Sequence, residues 1–156
     1  MSAKLLILFS IIPIVISCNI YNTVQNDSNN KIEFEIKQIV SGSYSQYNFV
    51  FVDDKLVINE QNITKLGKSN YKKIYSKKIK KYEIKRIKEA IEPLCQLESK
   101  YIKPQLGGLR WELNIVFNDI DKKIIIENYY IPEISLLFDI INNLTPKNKP
   151  KLHPMK

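Results

Sequence analysis

Two hydrophobic periods run along the chain, and the points where one gives way to the other divide it into elements. In residues 31–37, Ile32, Phe34 and Ile36 share one face while Lys31, Glu33, Glu35 and Lys37 share the other, which predicts a half-buried antiparallel strand. Residues 47–52 and 55–59 flank Asp53-Asp54 and predict a hairpin, although Asp-Asp suits a positive φ less well than Asn-Gly. Residues 71–79 alternate Tyr71, Lys73, Tyr75 and Lys77 against Lys72, Ile74, Ser76 and Lys78, a strand suited to a sheet edge guarded by lysines.

From Tyr82 the period becomes helical. Ile84, Ile87, Ile91, Leu94 and Cys95 form one apolar stripe running to about Glu98. Pro93 removes a backbone donor and clashes with the preceding turn, so a kink or break is expected near Glu92. Pro104 and Gly107-Gly108 mark a loop, after which Leu109, Trp111, Leu113, Ile115 and Phe117 alternate with Arg110, Glu112, Asn114 and Val116 in the strongest strand pattern of the chain. A loop over residues 118–121 would place Phe117 opposite Lys122, Ile115 opposite Ile124 and Leu113 opposite Ile126, with the apolar faces coinciding. Pro132 sits at a natural first helical position, and Ile134, Leu137, Phe138, Ile141 and Leu144 supply a second stripe as far as Pro146.

The order strands, helix, hairpin, helix predicts an α+β domain over residues 31–145. It should have two layers, a mainly antiparallel sheet of about five to six strands and two amphipathic helices, with one sheet face left open. Residues 146–156 hold Pro146, Pro150 and Pro154 among scattered lysines and read as a disordered basic tail.

The amino end departs from both periods. Lys4 is its only charge, residues 5–16 are apolar apart from Ser10 and Pro13, and Ser17 precedes Cys18, which is the layout of a secretion signal. The run falls short of the roughly 17 to 25 apolar residues that a membrane-spanning helix needs. Residues 1–18, ending in Val15-Ile16-Ser17-Cys18, resemble the lipobox signal peptides of bacterial lipoproteins. The resemblance covers that segment alone. It implies removal of residues 1–17, a diacylglyceryl thioether and an acylated amine on Cys18, and an exported protein anchored to the bacterial membrane. Several acyl chains anchor durably, because each buried methylene contributes about 0.8 kcal/mol. Asn19, where Asp commonly signals inner-membrane retention in Gram-negative lipoproteins, points to the outer membrane facing the periplasm where such a membrane exists. Residues 18–30 are polar and Asn-rich and read as a flexible tether that reaches about 40 Å stretched and roughly 20 Å as a coil.

Export reshapes the reading of charge. The net charge of +8 is concentrated in Lys72, Lys73, Lys77, Lys78, Lys81 and Lys85, with Lys80, Arg86 and Lys88 beside them and Tyr71, Tyr75 and Tyr82 interleaved. In a cytosolic protein this would point to RNA. Outside the cytoplasm nucleic acid is excluded, and the candidate partners become anionic headgroups, an acidic polysaccharide or an acidic protein; the simpler reading is a solvated lysine face.

Catalytic inventory is thin. His153 is the only histidine and lies between prolines, and Cys95 is the only thiol left once Cys18 is modified, placed on an apolar stripe as a core residue. Zinc ligands are lacking, Asp119 and Asp121 lack the rest of a calcium loop, and Gly107-Gly108 precedes a strand, so no metal or cofactor is predicted. The hairpin register above sets Glu112 opposite Glu127, with Arg110 diagonal to Glu127 and opposite Tyr129. Arg110, Glu112, Glu127 and Tyr129 are therefore a candidate recognition surface, against the simpler reading of an internally neutralised ladder. The expected function is a membrane-anchored, non-catalytic binding module of the cell envelope, in its sharper form an immunity protein against a toxin. The alternative is a small envelope hydrolase acting on glycan through Glu112 and Glu127, which requires a cleft enclosing both.

Overall fold

The alternation at the start of the domain folds into the strand around which the sheet is laid out. The computed structural model describes residues 31–43, 45–63, 69–104 and 107–153. The elements are β1 (Ile32–Val40), β2 (Ser45–Val52), β3 (Lys55–Ile63), β4 (Ser69–Lys78), α1 (Lys81–Ile91), β5 (Lys100–Ile102), β6 (Leu109–Phe117), β7 (Ile120–Glu127) and α2 (Pro132–Leu144). They form one seven-stranded sheet in the order β4-β3-β2-β1-β6-β7-β5, antiparallel except that β5 runs parallel to β7. The sheet is therefore mixed and has seven strands where five to six were expected. The addition, β5, is three residues long, too short for any period to show.

β1 to β4 form a meander that walks outward to one edge. The chain then crosses the sheet through α1, adds β5 at the far edge, and fills the gap beside β1 with the β6–β7 hairpin. Asp53 and Asp54, at φ 49° and 58°, make the two-residue connection between β2 and β3. β4 occupies the lysine-bearing edge, as its pattern suggested.

The β6–β7 connection differs from the expectation. Asn118 takes the left-handed conformation (φ 55°), the turn needs two residues, and Phe117 faces Ile120. The register is thereby displaced by two, with Ile115 opposite Lys122 and Leu113 opposite Ile124. A two-residue slip leaves every side chain on its original face, so hydrophobic alternation cannot detect it.

Both helices lie on one side of the sheet. Phe34, Ile36, Phe49, Phe51, Leu56, Ile58, Trp111, Leu113, Ile115, Ile124 and Ile126 point to that side and close one core with Ile87, Ile91 and Leu94 and with Leu137, Phe138 and Ile141. Trp111 meets Phe138 edge-on at 5.4 Å, and Phe34 stacks on Phe51 at 5.3 Å. Pro93 ends the α-helix as expected: a 3-10 turn (Glu92–Gln96) follows α1 and still buries Leu94. The first turn of α1 is held by Glu83, whose carboxylate accepts the Lys80 backbone N–H at 2.8 Å and lies 3.4 Å from Lys77 Nζ.

Residues 146–153, expected to be a disordered tail, fold back onto α2, while residues 154–156 lie outside the described set. Leu152 is fully buried, and the Asn142 side chain brackets its backbone, accepting its N–H at 2.8 Å and donating to its carbonyl at 2.7 Å. Lys151 Nζ donates to the Asn142 and Thr145 carbonyls at the end of α2, at 2.5 Å each. One leucine among prolines carries no period, which is why the segment reads as a tail in sequence. Leu152→Ala is expected to cost about 2 to 5 kcal/mol of stability, the range for emptying a packed site. A urea midpoint unchanged by this substitution would contradict the packing.

Candidate functional site

The uncovered face of the sheet carries two polar clusters, one around Glu35 and one around Arg110. On β1 the residues that alternate with the core are Glu33, Glu35, Lys37 and Ile39. Their cross-strand neighbours are Val50 and Asn48 on β2 and Val116, Asn114, Glu112 and Arg110 on β6. Because β1 lies between β2 and β6, Glu35 has a neighbour on each side. Asn48 Nδ2 donates to Glu35 Oε1 at 2.7 Å, Asn114 Nδ2 donates to Oε2 at 2.9 Å, and Lys37 Nζ lies 3.6 Å from Oε2. Burial pushes the Glu35 carboxyl up, but the hydrogen bonds from Asn48 and Asn114, with the Lys37 charge added, outweigh it and hold the group below its ordinary value. Asn48 is itself buried. Beside this carboxylate, Val50, Val52, Val116, Glu33 and Asn114 line a shallow depression of about 280 Å³.

Of the four residues predicted as a recognition surface, the structure joins three and removes the fourth. Arg110 faces Glu127 across the β6–β7 pair, and Glu112 faces Ile125, so the two acids are not opposed. Arg110 Nη2 bonds Glu112 Oε1 at 2.6 Å, and Nη1 stands 3.8 Å from Glu127 Oε2, so a single guanidinium serves two carboxylates and the cluster keeps a net negative charge. Tyr129 lies beyond Asn128, whose positive φ (54°) turns the chain. Its ring packs 5.6 Å from Tyr101 and lines a small space with Trp111, Ile126 and Phe138, residues of the helix-covered side. Glu112 and Glu127 lie on the open sheet face, engaged by the arginine between them. Near them Ile39, Ser41, Gly107, Gly108, Arg110 and Glu127 bound a recess of about 240 Å³. Its loop is fixed by Asn128, which accepts the Leu109 N–H at 3.3 Å and donates to the Gly107 carbonyl at 3.3 Å. A Cβ on Gly108 would come within 1.9 Å of Asn128 Oδ1, so the close approach requires glycine there.

The lysine stretch is divided by the fold. An extra residue at Ile74 shifts the register of β4. Lys73 and Lys78 then pair with Asn59 and Lys55 of the open face, while Lys72 and Lys77 pair with Glu60 and Leu56 of the helix side. Lys81 and Lys85 belong to α1 and line a groove with Lys88. Cys95 is half-buried at the margin of the core, and burial pushes its thiol up, away from the reactive thiolate. Cys18 and the tether lie outside the described residues.

The Glu35 network went unpredicted. Its alternation was visible, but its partners Asn48 and Asn114 come from strands about 13 and 79 residues away and are brought in only by the placing of β1 between β2 and β6. No protein-family model matches the chain, and no curated protein matches it in sequence.

Two carboxyls link this geometry to pH. The Lys80 N–H holds the Glu83 carboxyl below its ordinary value, against burial and with help from Lys77, as Asn48 and Asn114 do for Glu35. The folded chain therefore binds fewer protons than the unfolded chain near the ordinary carboxyl value of 4.5. The stabilisation is complete above that value and is lost as pH falls through the lowered folded values. Glu83→Gln is expected to cost about 1 kcal/mol near neutral pH. Urea unfolding should show the difference shrinking on acidification toward about pH 3, and a gap that stayed constant would contradict the charge-based account.

Proposed function

We propose that the chain is a lipid-anchored binding module of the bacterial cell envelope, held through Cys18 and presenting its open sheet face to a protein partner. The observation that supports the binding role is the fixed Glu35 carboxylate beside half-buried valines on a face that neither helix covers. A surface whose polar groups are already held in place loses little conformational freedom on binding, and an apolar strip beside a carboxylate suits a partner that offers a cation among apolar side chains. Among the described residues no helix is long and apolar enough to cross a membrane, so attachment in this reading rests on the acyl chains of Cys18. A toxin delivered to the same compartment is the sharper candidate for the partner, since a small exported domain without a catalytic motif suits an inhibitor that works by occupying a surface.

Two measurements test the reading. Cys18→Ser should abolish labelling by a radioactive fatty acid and shift the protein out of the membrane fraction; unchanged labelling would place the lipid elsewhere. A photoreactive residue at Val50 or Val116 should give a discrete crosslinked product in intact membranes, while one at exposed Leu136 on α2 should not. Glu33→Lys, at the rim of the depression, should reduce that product about tenfold by placing like charges in contact, with the urea midpoint verifying the fold. Equal crosslinking from Leu136 and Val50 would overturn the assignment of the face.

A further inference from the structure

We infer that the groove between α1 and the start of β1 docks on anionic phospholipid headgroups, so that the domain lies against the membrane instead of swinging free on its tether. This rests on the anchored reading above. The groove has a volume of about 710 Å³ and is bounded by Lys81, Lys85 and Lys88 on α1 and by Ile32, Phe51 and Asp54 on the sheet, with Ile84 between them. The spacing of the lysines, one turn and then the next, sets them in a single row along the helix. Among the described residues neither Lys81 nor Lys88 has an ion-pair partner, and Lys85 reaches only Glu89 at 4.0 Å in an exposed pair. Cations over an apolar floor suit the phosphate and glycerol region of a lipid. Tyr82, 61% exposed in the first turn of α1, is the residue type that favours the membrane interface.

Position decides among anionic partners. Ile32, a wall of the groove, is the first residue of β1, so the segment that leads back to Cys18 joins the domain at the groove itself. Only twelve residues, 19–30, separate Cys18 from the domain, a reach of at most about 40 Å, so this pole stays near the surface that holds the anchor and the lipid has a high effective concentration there. The same pole carries Lys55 directly opposite Lys78 across β3 and β4, a like-charge pair that a surface of phosphates would relieve. Both are exposed.

The test uses the full lipidated chain in neutral phosphatidylcholine vesicles and in vesicles that also contain phosphatidylglycerol, with the reactivity of each lysine toward an acetylating reagent read by mass spectrometry. Lys81, Lys85 and Lys88 should react about fivefold more slowly on the anionic vesicles. Lys72 should not change, and the protection should disappear at about 1 M salt, where the screening length falls to roughly 3 Å. The triple variant K81E/K85E/K88E should show no difference in Lys55 and Lys78 between the two vesicles. Equal reactivity of the groove lysines on both vesicles overturns the inference, and so does equal protection on neutral vesicles given inorganic phosphate, which would mark a small-anion site. The anchor is scored separately by flotation: a chain that fails to float with neutral vesicles contradicts lipidation, whereas a chain that floats with both and shows no protection contradicts only the docking.

Discussion

Everything in this domain depends on β1 lying at the centre of the sheet, between the β2–β4 meander and the β6–β7 hairpin. Its alternation assigns Phe34 and Ile36 to the core and Glu33, Glu35 and Lys37 to the other face. The apolar side sets the outcome, since burying each large side chain contributes about 1.5 to 3 kcal/mol whereas an exposed ion pair contributes at most about 1. A slip of one residue would put Glu35 among the phenylalanines and expose Phe34, so the face of each residue is firmly fixed. Within that constraint the pairing adopted, with Glu35 opposite Val50 and Asn114, brings Asn48 and Asn114 to its carboxylate.

That dependence explains what could be read from the sequence. The existence and faces of β1, β2, β6 and both helices and the existence of β4 follow from periodicity, whereas the extra residue at Ile74 breaks the alternation expected for β4 and sets Lys73 and Lys78 on one face; the break after Ile91 follows from Pro93. What could not be read is whatever leaves the alternation unchanged. A register displaced by two residues between β6 and β7 keeps Trp111, Leu113 and Ile115 inside, yet it moves Glu112 away from Glu127 and sets Arg110 opposite Glu127. Arg110, Glu112 and Glu127 thus share the open face, but with a pairing that differs from the expected one. Tyr129 was lost for a related reason, since the positive φ of Asn128 ends the alternation that its placement assumed. β5 and Leu152 fall below the length at which a period exists and are held by parallel pairing and by Asn142, contacts that no local pattern encodes.

The polar clusters of the open face differ in how they are satisfied. Arg110 is shared between Glu112 and Glu127, so that small cluster at the end of β6 is held by its own ion pairs and keeps a net negative charge. Glu35 is held mainly by neutral amides, so its charge is positioned but only partly cancelled by Lys37. A carboxylate fixed by amides keeps its electrostatic reach while losing its mobility, a property that suits the proposed binding role. The valines around it add apolar area without closing over it.

Charge and topology then separate two surfaces that the sequence runs together. The lysines of α1 lie with the helix layer, beside the point where the chain enters β1, and Glu35 lies on the opposite side of the sheet. A lipid surface that occupies the α1 groove therefore lies on the helix side, and a partner on the Glu35 face would meet it only at the end of the sheet that carries Lys55 and Lys78. Had the lysines stayed one patch along β4, the membrane and the partner would compete for the same edge of the sheet. The strand alternation that turns Lys72 and Lys73 to opposite faces, and the crossover that carries Lys81, Lys85 and Lys88 onto α1, together limit that overlap.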